Sequence, residues 1–240
     1  MSTPAGNTKR VAIVQSNYIP WKGYFDMIRQ VDEFVLLDSV QYTRRDWRNR
    51  NRIKTREGAV WLTIPVKVTG RYLQSIRETE ISDPDWAEHH WARLKTAYGA
   101  APHFPTYARD LEALYATASR CRLLSEVNRL FLRELCSLLG IATRLSDDAE
   151  YHPTGSKTER LVGLCQAAGA TDYLSGPAAQ DYLVPERFAE AGIGLSWMSY
   201  GGYPEYEQLH PPFDHAVSVV DLLVHTGPEA ARYLVREPLP

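Results

Sequence analysis

The stretch Val11-Ala12-Ile13-Val14-Gln15-Ser16-Asn17-Tyr18-Ile19-Pro20-Trp21-Lys22-Gly23-Tyr24 decides how the chain is read. Four aliphatic residues in a row fit a strand buried on both faces, and Gln15-Ser16-Asn17 is the polar loop at its carboxyl end. After Pro20, the apolar residues Trp21, Tyr24, Phe25 and Ile28 recur at helical spacing. Phe34-Val35-Leu36-Leu37 then reads as a second strand closed by Asp38. A strand, a helix and a strand in this space make a right-handed βαβ unit with parallel strands. The expected fold is therefore α/β, a Rossmann-like parallel sheet.

Outward from that unit, Val60 to Val66 reads as a further strand, with Pro65 placing it near an edge or a strand end. From about 83 to 140 helical signals dominate and predict a mainly helical subdomain inserted in a single α/β domain spanning 1–240. Asp83-Pro84 supplies a cap and a first-turn proline, and Leu123, Val127, Leu130, Phe131, Leu135 and Leu138 form a stripe stopped by Gly140. Alternation then resumes. Strands are expected at 141–145, 172–174 and 193–198, with helices at 156–168, 185–191, 218–224 and 229–235.

The chain has 240 residues, 44% hydrophobic and 23% charged, close to the globular average, so disordered and fibrous classes are excluded. A net charge of −2 argues against a nucleic-acid or membrane-surface partner. Three cysteines without CxxC spacing read as small core residues in a reducing compartment, and no histidine or cysteine spacing fits a metal site. MSTPAGNTKR lacks the apolar segment of a secretion signal. The expectation is a soluble, cytoplasmic protein without a metal.

Four segments can carry chemistry. In a parallel sheet, ligands sit beyond the carboxyl ends of the strands. There Gln15 and Asn17 offer hydrogen bonds, Tyr18 and Trp21 offer rings, Lys22 meets an anion and Gly23 lets a group approach the backbone; packing of the loop is the alternative role. In Gly155-Ser156-Lys157-Thr158-Glu159, Ser156 and Glu159 form a capping box, and the helix start with Lys157 favours a phosphate or carboxylate. The missing upstream glycine separates it from a Walker A loop.

From 41 to 56 the chain carries Arg44, Arg45, Arg48, Arg50, Arg52, Lys54 and Arg56 against one acid, Asp46, with Trp47, Asn49 and Asn51 interleaved. Arginine forks suit phosphates and carboxylates, and Trp47 can stack on a base or sugar; a solvated loop and an RNA patch are the alternatives. Last, Asp221 and His225 stand at i, i+4, the spacing of a carboxylate orienting an imidazole base and equally of an ordinary helix pair.

Taken together, VAIVQSNYIPWKGYFDMI (11–28), DEFVLLDSVQYTRRDWRNRNRIK (32–54), WLTIPV (61–66), GSKTERL (155–161), YLSG (173–176), YEQ (206–208) and SVVDLLVHTG (218–227) resemble, in order, the WbqC-like protein family. The resemblance implies site positions at Gln15, Tyr18, Trp21, Gly23, Asp38, Arg50, Asn51, Lys54, Ser156, Lys157, Ser175, Gly176, Gln208 and Asp221. Asn17 departs from the proline expected there. Family members lie among genes for O-antigen, other surface polysaccharides and specialised metabolites, which implies a transferase adding glycine or another acyl group to an amino sugar.

A wider resemblance is to nucleotidylyltransferase-like α/β proteins of the pantothenate synthetase type, which places nucleotide-binding segments at Gln15–Gly23 and Gly155–Thr158. Their first-turn histidines are missing, since the first histidine here is His89.

The expected activity is amide formation by acyl or aminoacyl transfer to an amine, on a small anionic substrate such as a nucleotide or nucleotide-sugar. Where ATP with Mg²⁺ activates the carboxylate, Lys157 and the amides after Gly155 would hold phosphate. Asp38, Asp221 and His225 are the candidate general bases. Nucleotidyl transfer, and a non-catalytic anion- or RNA-binding module built on the arginine run, are the competing readings.

Overall fold

The computed structural model describes residues 8–155 and 157–234, and the chain divides into two compact units. Among the described residues, the first contains 8–14, Met27–Leu37 and Thr143–Tyr200. Its strands are β1 (Arg10–Val14), β2 (Glu33–Leu36), β5 (Arg144–Asp147), β6 (Asp172–Ser175) and β7 (Gly194–Trp197). They pair in the order β5-β2-β1-β6-β7, all parallel. Numbered along this sheet, that is 3-2-1-4-5, the doubly wound order, with the reversal between β1 and β6. The Rossmann-like expectation holds.

Aliphatic runs make these strands because both faces are covered. Val11, Ile13 and Val35 pack with Leu161, Leu164 and Cys165 of α5 (Lys157–Ala167) and Phe188 of α6 (Pro185–Glu190), and Tyr173 stacks on Phe188 at 5.2 Å. Within this apolar unit β2 also buries Glu33. Ser146 donates to its Oε1 at 2.5 Å and Tyr151 donates to the same oxygen, while Lys9 Nζ lies 2.7 Å and Arg144 3.5 Å from Oε2. Burial alone would raise this carboxyl, but the donors from Lys9, Ser146 and Tyr151 hold it below the usual carboxylate range.

Among the described residues, the second unit holds Gln15–Asp26, Asp38–Ala142 and 201–234. β3 (Arg50–Thr55) and β4 (Gly58–Thr63) form an antiparallel hairpin, and α2 (Trp86–Tyr98), α3 (Phe104–Ala118), α4 (Leu124–Leu138) and α7 (Val219–Thr226) complete it. Its core is aromatic. Tyr18 is fully buried, with its hydroxyl 2.6 Å from Tyr115 and 2.9 Å from His90 Nδ1, and its ring lies edge-on to Phe131 and Trp86. Burial pushes His90 down to about 4, so the imidazole stays neutral at physiological pH. Helix α1 (Lys22–Arg29) begins in the second unit and ends in the first.

Element ends differ from the sequence expectation for physical reasons. The 60–66 strand stops at Thr63, because Pro65 has no N–H to donate. The 141–145 strand starts at Arg144; Ile141 instead donates to Cys136 O at 2.8 Å, closing the end of α4 through Gly140 at φ +67°. Asp85 rather than Asp83 precedes the first turn of α2, and Asp83 Oδ1 accepts the Asp85 N–H. The last helical piece is a 3₁₀ stretch, Gly227–Leu234. Ser156, and with it the expected capping box, lies outside the described residues, as does Val235.

Among the described residues no helix is long and apolar enough to cross a membrane. Cys121, Cys136 and Cys165 are free thiols, and burial pushes the latter two up to about 12.

Candidate functional site

Helix α7 is buried along its whole length, so its polar residues Asp221, His225 and Thr226 are buried together with its apolar ones. Ser218 caps it, accepting the Val220 N–H at 3.3 Å, and donates its own N–H to Arg52 O at 2.8 Å, which ties the helix start to β3. One turn in, Asp221 is 0% exposed. Its Oδ1 accepts both the Tyr206 hydroxyl and Gln208 Nε2 at 2.8 Å. Its Oδ2 is buried and has no hydrogen-bond partner among the described residues. The Tyr98 phenol beside it is kept protonated by burial first and then by the Asp221 charge. Tyr206 is raised in the same way.

His225 follows at i+4. Its Nδ1 lies 2.7 Å from the Asp221 carbonyl and 3.4 Å from Oδ1, and the Leu209 N–H donates to Nε2 at 3.0 Å. Nε2 is thus the acceptor and Nδ1 carries the proton. Burial opposes the imidazolium, but the Asp221 carboxylate and carbonyl outweigh it and raise the ring above its ordinary value.

Gln208 links this pair to a lysine. Its Oε1 accepts Lys54 Nζ at 3.0 Å and the Asp214 N–H at 2.9 Å. Lys54, at the end of β3, is 5% exposed.

A second lysine, Lys22, is 2% exposed. Its Nζ donates to Pro204 O at 2.8 Å and sits 5.3–5.6 Å from the ring centres of Tyr206, Tyr203 and Phe213. Burial lowers Lys22 to about 8, with Glu205 and Asp221 pulling the other way. Tyr206, Gln208 and His225 also line a cleft of about 450 Å³ with His103, Glu207 and Tyr233. Two buried cations, a carboxylate with one unpartnered oxygen and an imidazole thus converge beside a cleft. Such a set can bind a carboxylate or phosphate and move a proton.

The first loop uses its polar groups differently. Asp38 is buried and accepts the Ser16 N–H at 3.0 Å, and Asn128 donates to Ser16 Oγ at 3.0 Å and to Arg48 O at 2.9 Å. Arg48 donates to Asn17, and Asn51 donates to Tyr18 O at 3.2 Å. Gln15 accepts the Tyr24 hydroxyl on its carbonyl at 2.9 Å. Gly23 is required by Trp21, because a Cβ there would come 2.3 Å from the indole. Arg45 is exposed with φ +59°.

The sheet unit carries the remaining expected residues. Lys157 is exposed, with φ +50° at the start of α5, and Gly155 O accepts both Arg160 Nε and Nη2. Thr158 Oγ1 accepts the Val184 N–H at 3.3 Å. Ser175 is buried at the end of β6 and accepts the Met198 N–H on its carbonyl, while Gly176 precedes a 3₁₀ turn at Pro177–Asp181.

Of the expected positions, Lys22, Lys54, Gln208, Asp221 and His225 therefore come together. The YEQ motif already contains Tyr206, and Tyr203 stands in the same 203–208 segment, though the sequence reading gives neither a role; Tyr206 and Gln208, two apart in an extended segment, share a side. Sequence reasoning missed Tyr98 and Trp61, which read only as members of a helix stripe and of a strand.

The WbqC-like protein family model matches residues 15–233, and the chain belongs to that family. It is similar to uncharacterized protein Rv1507c of Mycobacterium tuberculosis (strain ATCC 25618 / H37Rv), with 52% identity over 226 residues, covering 94% of this chain and 97% of the relative. No solved structure matches the chain.

Proposed function

We propose that this WbqC-like protein is an enzyme that forms an amide, transferring an acyl or aminoacyl group from an activated carboxylate to an amine. The observation that carries the reading is the fully buried Asp221, held on one oxygen by Tyr206 and Gln208 and left unpartnered on the other among the described residues. A buried charge of this kind is costly for a fold and is characteristic of sites that move protons. Lys54, held by Gln208 Oε1, supplies a donor for charge developing on the acyl oxygen. His225, oriented by Asp221, takes the proton of the attacking amine once Nε2 is released by the Leu209 amide; as the C–N bond forms, the bond to the activating group breaks, and a phosphate, or a thiol where the donor is a thioester, leaves. Lys22 adds a second cation that can shed its proton near neutral pH.

A cytoplasmic location fits the free thiols, and the polysaccharide or specialised-metabolite setting implied by the family fits an amine-bearing sugar as acceptor.

The test incubates the protein with ATP, Mg²⁺, glycine and an amino sugar, then with acyl thioesters in place of ATP and glycine, and detects amides by mass spectrometry. A new amide that falls about 100-fold or more in Asp221→Asn supports the reading, that being the usual scale of general-base catalysis. Its rate should rise with pH through a midpoint above 6.5, because the base must be neutral and His225 is raised from that value. Amide formation indifferent to Asp221→Asn and Lys54→Met would overturn it.

A further inference from the structure

We infer that the outward face of the β3–β4 hairpin is a blind-ended nucleotide platform, with the base stacked on Trp47 and Trp61 and the phosphates on Arg50, Arg52 and Lys54. The pattern is written in RNRIKT. Alternate residues of a strand share a face, so Arg50, Arg52 and Lys54 stand in a row, opposite Thr63, Trp61 and Ala59 of β4. The other face presents Asn51 and Ile53 against Leu62 and Val60 and is buried for the most part.

Trp61, opposite Arg52 in the middle of the row, and Trp47 lie 5.3 Å apart and remain 38% and 41% exposed. Two adjoining indoles kept in water call for a flat ligand. The Arg50 guanidinium sits 4.1 Å from the Trp61 ring centre and that of Arg52 5.9 Å away.

Both arginines keep donors in hand. Arg50 donates to Arg45 O, yet its buried Nε has no partner among the described residues. Arg52 donates Nε to Ala216 O at 3.0 Å and lies 3.9 Å from Asp214, which leaves part of a five-donor fork unused. The nearby Asp46 is engaged by Arg48 at 3.4 Å.

The row ends inside the protein. Lys54 is buried against Gln208, and through it against Asp221. Arg50 to Lys54 spans about 13 Å at ~3.3 Å per residue. That length suits one base with a diphosphate, and the burial of Lys54 ends the row of accessible cations there. The diphosphate end would lie at Lys54. This inference therefore names the class of substrate for the amide chemistry proposed above, and it rests on that reading for the chemical step after binding.

The test is calorimetric titration of the full chain with UDP, inorganic pyrophosphate and uridine. UDP should bind about tenfold tighter than pyrophosphate, and Trp47→Ala should erase that margin while leaving pyrophosphate unchanged, the usual scale for one stacked base. Trp47→Phe should recover most of it, and Arg50→Gln should weaken UDP and pyrophosphate together. UDP binding no tighter than pyrophosphate, or unaffected by Trp47→Ala, overturns the platform. So does affinity for oligouridylate that keeps growing beyond two nucleotides, which would make the face an open polymer surface. The two readings separate when the amide assay and the UDP titration are run on the same wild-type protein. UDP binding without amide formation would overturn that reading alone, and amide formation without UDP binding would overturn the platform alone.

Discussion

Glu33 in the sheet unit and Asp221 in the hairpin-and-helix unit are both 0% exposed carboxylates, yet their surroundings differ in kind. Glu33 has a partner on each oxygen, two of them cations. Asp221 has neutral donors on one oxygen, an imidazole nearby, and no hydrogen bond on the other oxygen among the described residues. The first arrangement is what a fold needs of a buried charge, while the second leaves capacity for something else. The difference locates stability in one unit and chemistry in the other.

Breaking the comparison at Glu33 should produce the largest effect. Glu33→Gln points an amide N–H at the Ser146 and Tyr151 donors while Lys9 and Arg144, 31% and 57% exposed, stay solvated, so the cost is about 1–3 kcal/mol. Chemical denaturation at pH 7 would show it. The folded-state value of Glu33 is lowered, so its contribution is complete above the ordinary carboxyl value of 4.5. The deficit of the variant should therefore shrink as the pH falls below that point. Amide formation per folded molecule should be unchanged.

At Asp221 the pattern reverses. Asp221→Asn keeps an oxygen for Tyr206 and Gln208, so stability should stay within about 1 kcal/mol while activity falls by about two orders of magnitude.

Lys22 sharpens the contrast with a change of sign. A lysine lowered to about 8 binds its proton less well in the folded state than in the unfolded one, so it opposes folding below pH 8. Lys22→Met should raise stability at pH 7 by roughly 1–3 kcal/mol, a typical gain from replacing a buried ion by an apolar side chain. The advantage should shrink as the pH rises from 8 toward 10.5, where the wild-type penalty is relieved. Equal stability at every pH would contradict the assignment.

Gly23→Ala is smaller again, about 1 kcal/mol or somewhat more, because the Trp21 ring must shift to admit a Cβ. Least of all, Lys157→Ala on the exposed start of α5 should alter stability by under about 0.5 kcal/mol. If it nevertheless abolished amide formation from ATP and glycine, phosphate handling would belong to the sheet unit.

The centre of the sheet is legible in the sequence because β1 and β2 carry short apolar runs with their breakers, as in VAIV before Gln15-Ser16-Asn17, while the short β5, Arg-Leu-Ser-Asp, is marked chiefly by the Gly140 stop before it. Periodicity carries that information locally. Glu33 is not legible, since a charged residue at a strand start looks solvated until Lys9, Ser146 and Tyr151 are placed around it.

Part of the site can be read, because Asp221 and His225 are neighbours on one helix face and Lys54 and Gln208 fall in family-like motifs. Trp61 is hidden inside a strand reading, and its role depends on the register that sets it opposite Arg52. Gly23 reads correctly as a point of close approach, but the approaching group is Trp21 of the same loop.

The most direct measurement is the unfolding free energy of Asp221→Asn beside Glu33→Gln at pH 7, on proteins assayed in parallel for amide formation. The account predicts a stable, inactive Asp221→Asn and a weakened, active Glu33→Gln. An Asp221→Asn protein that loses about 3 kcal/mol or more would make Asp221 a structural carboxylate like Glu33 and contradict the assignment of chemistry to its cluster.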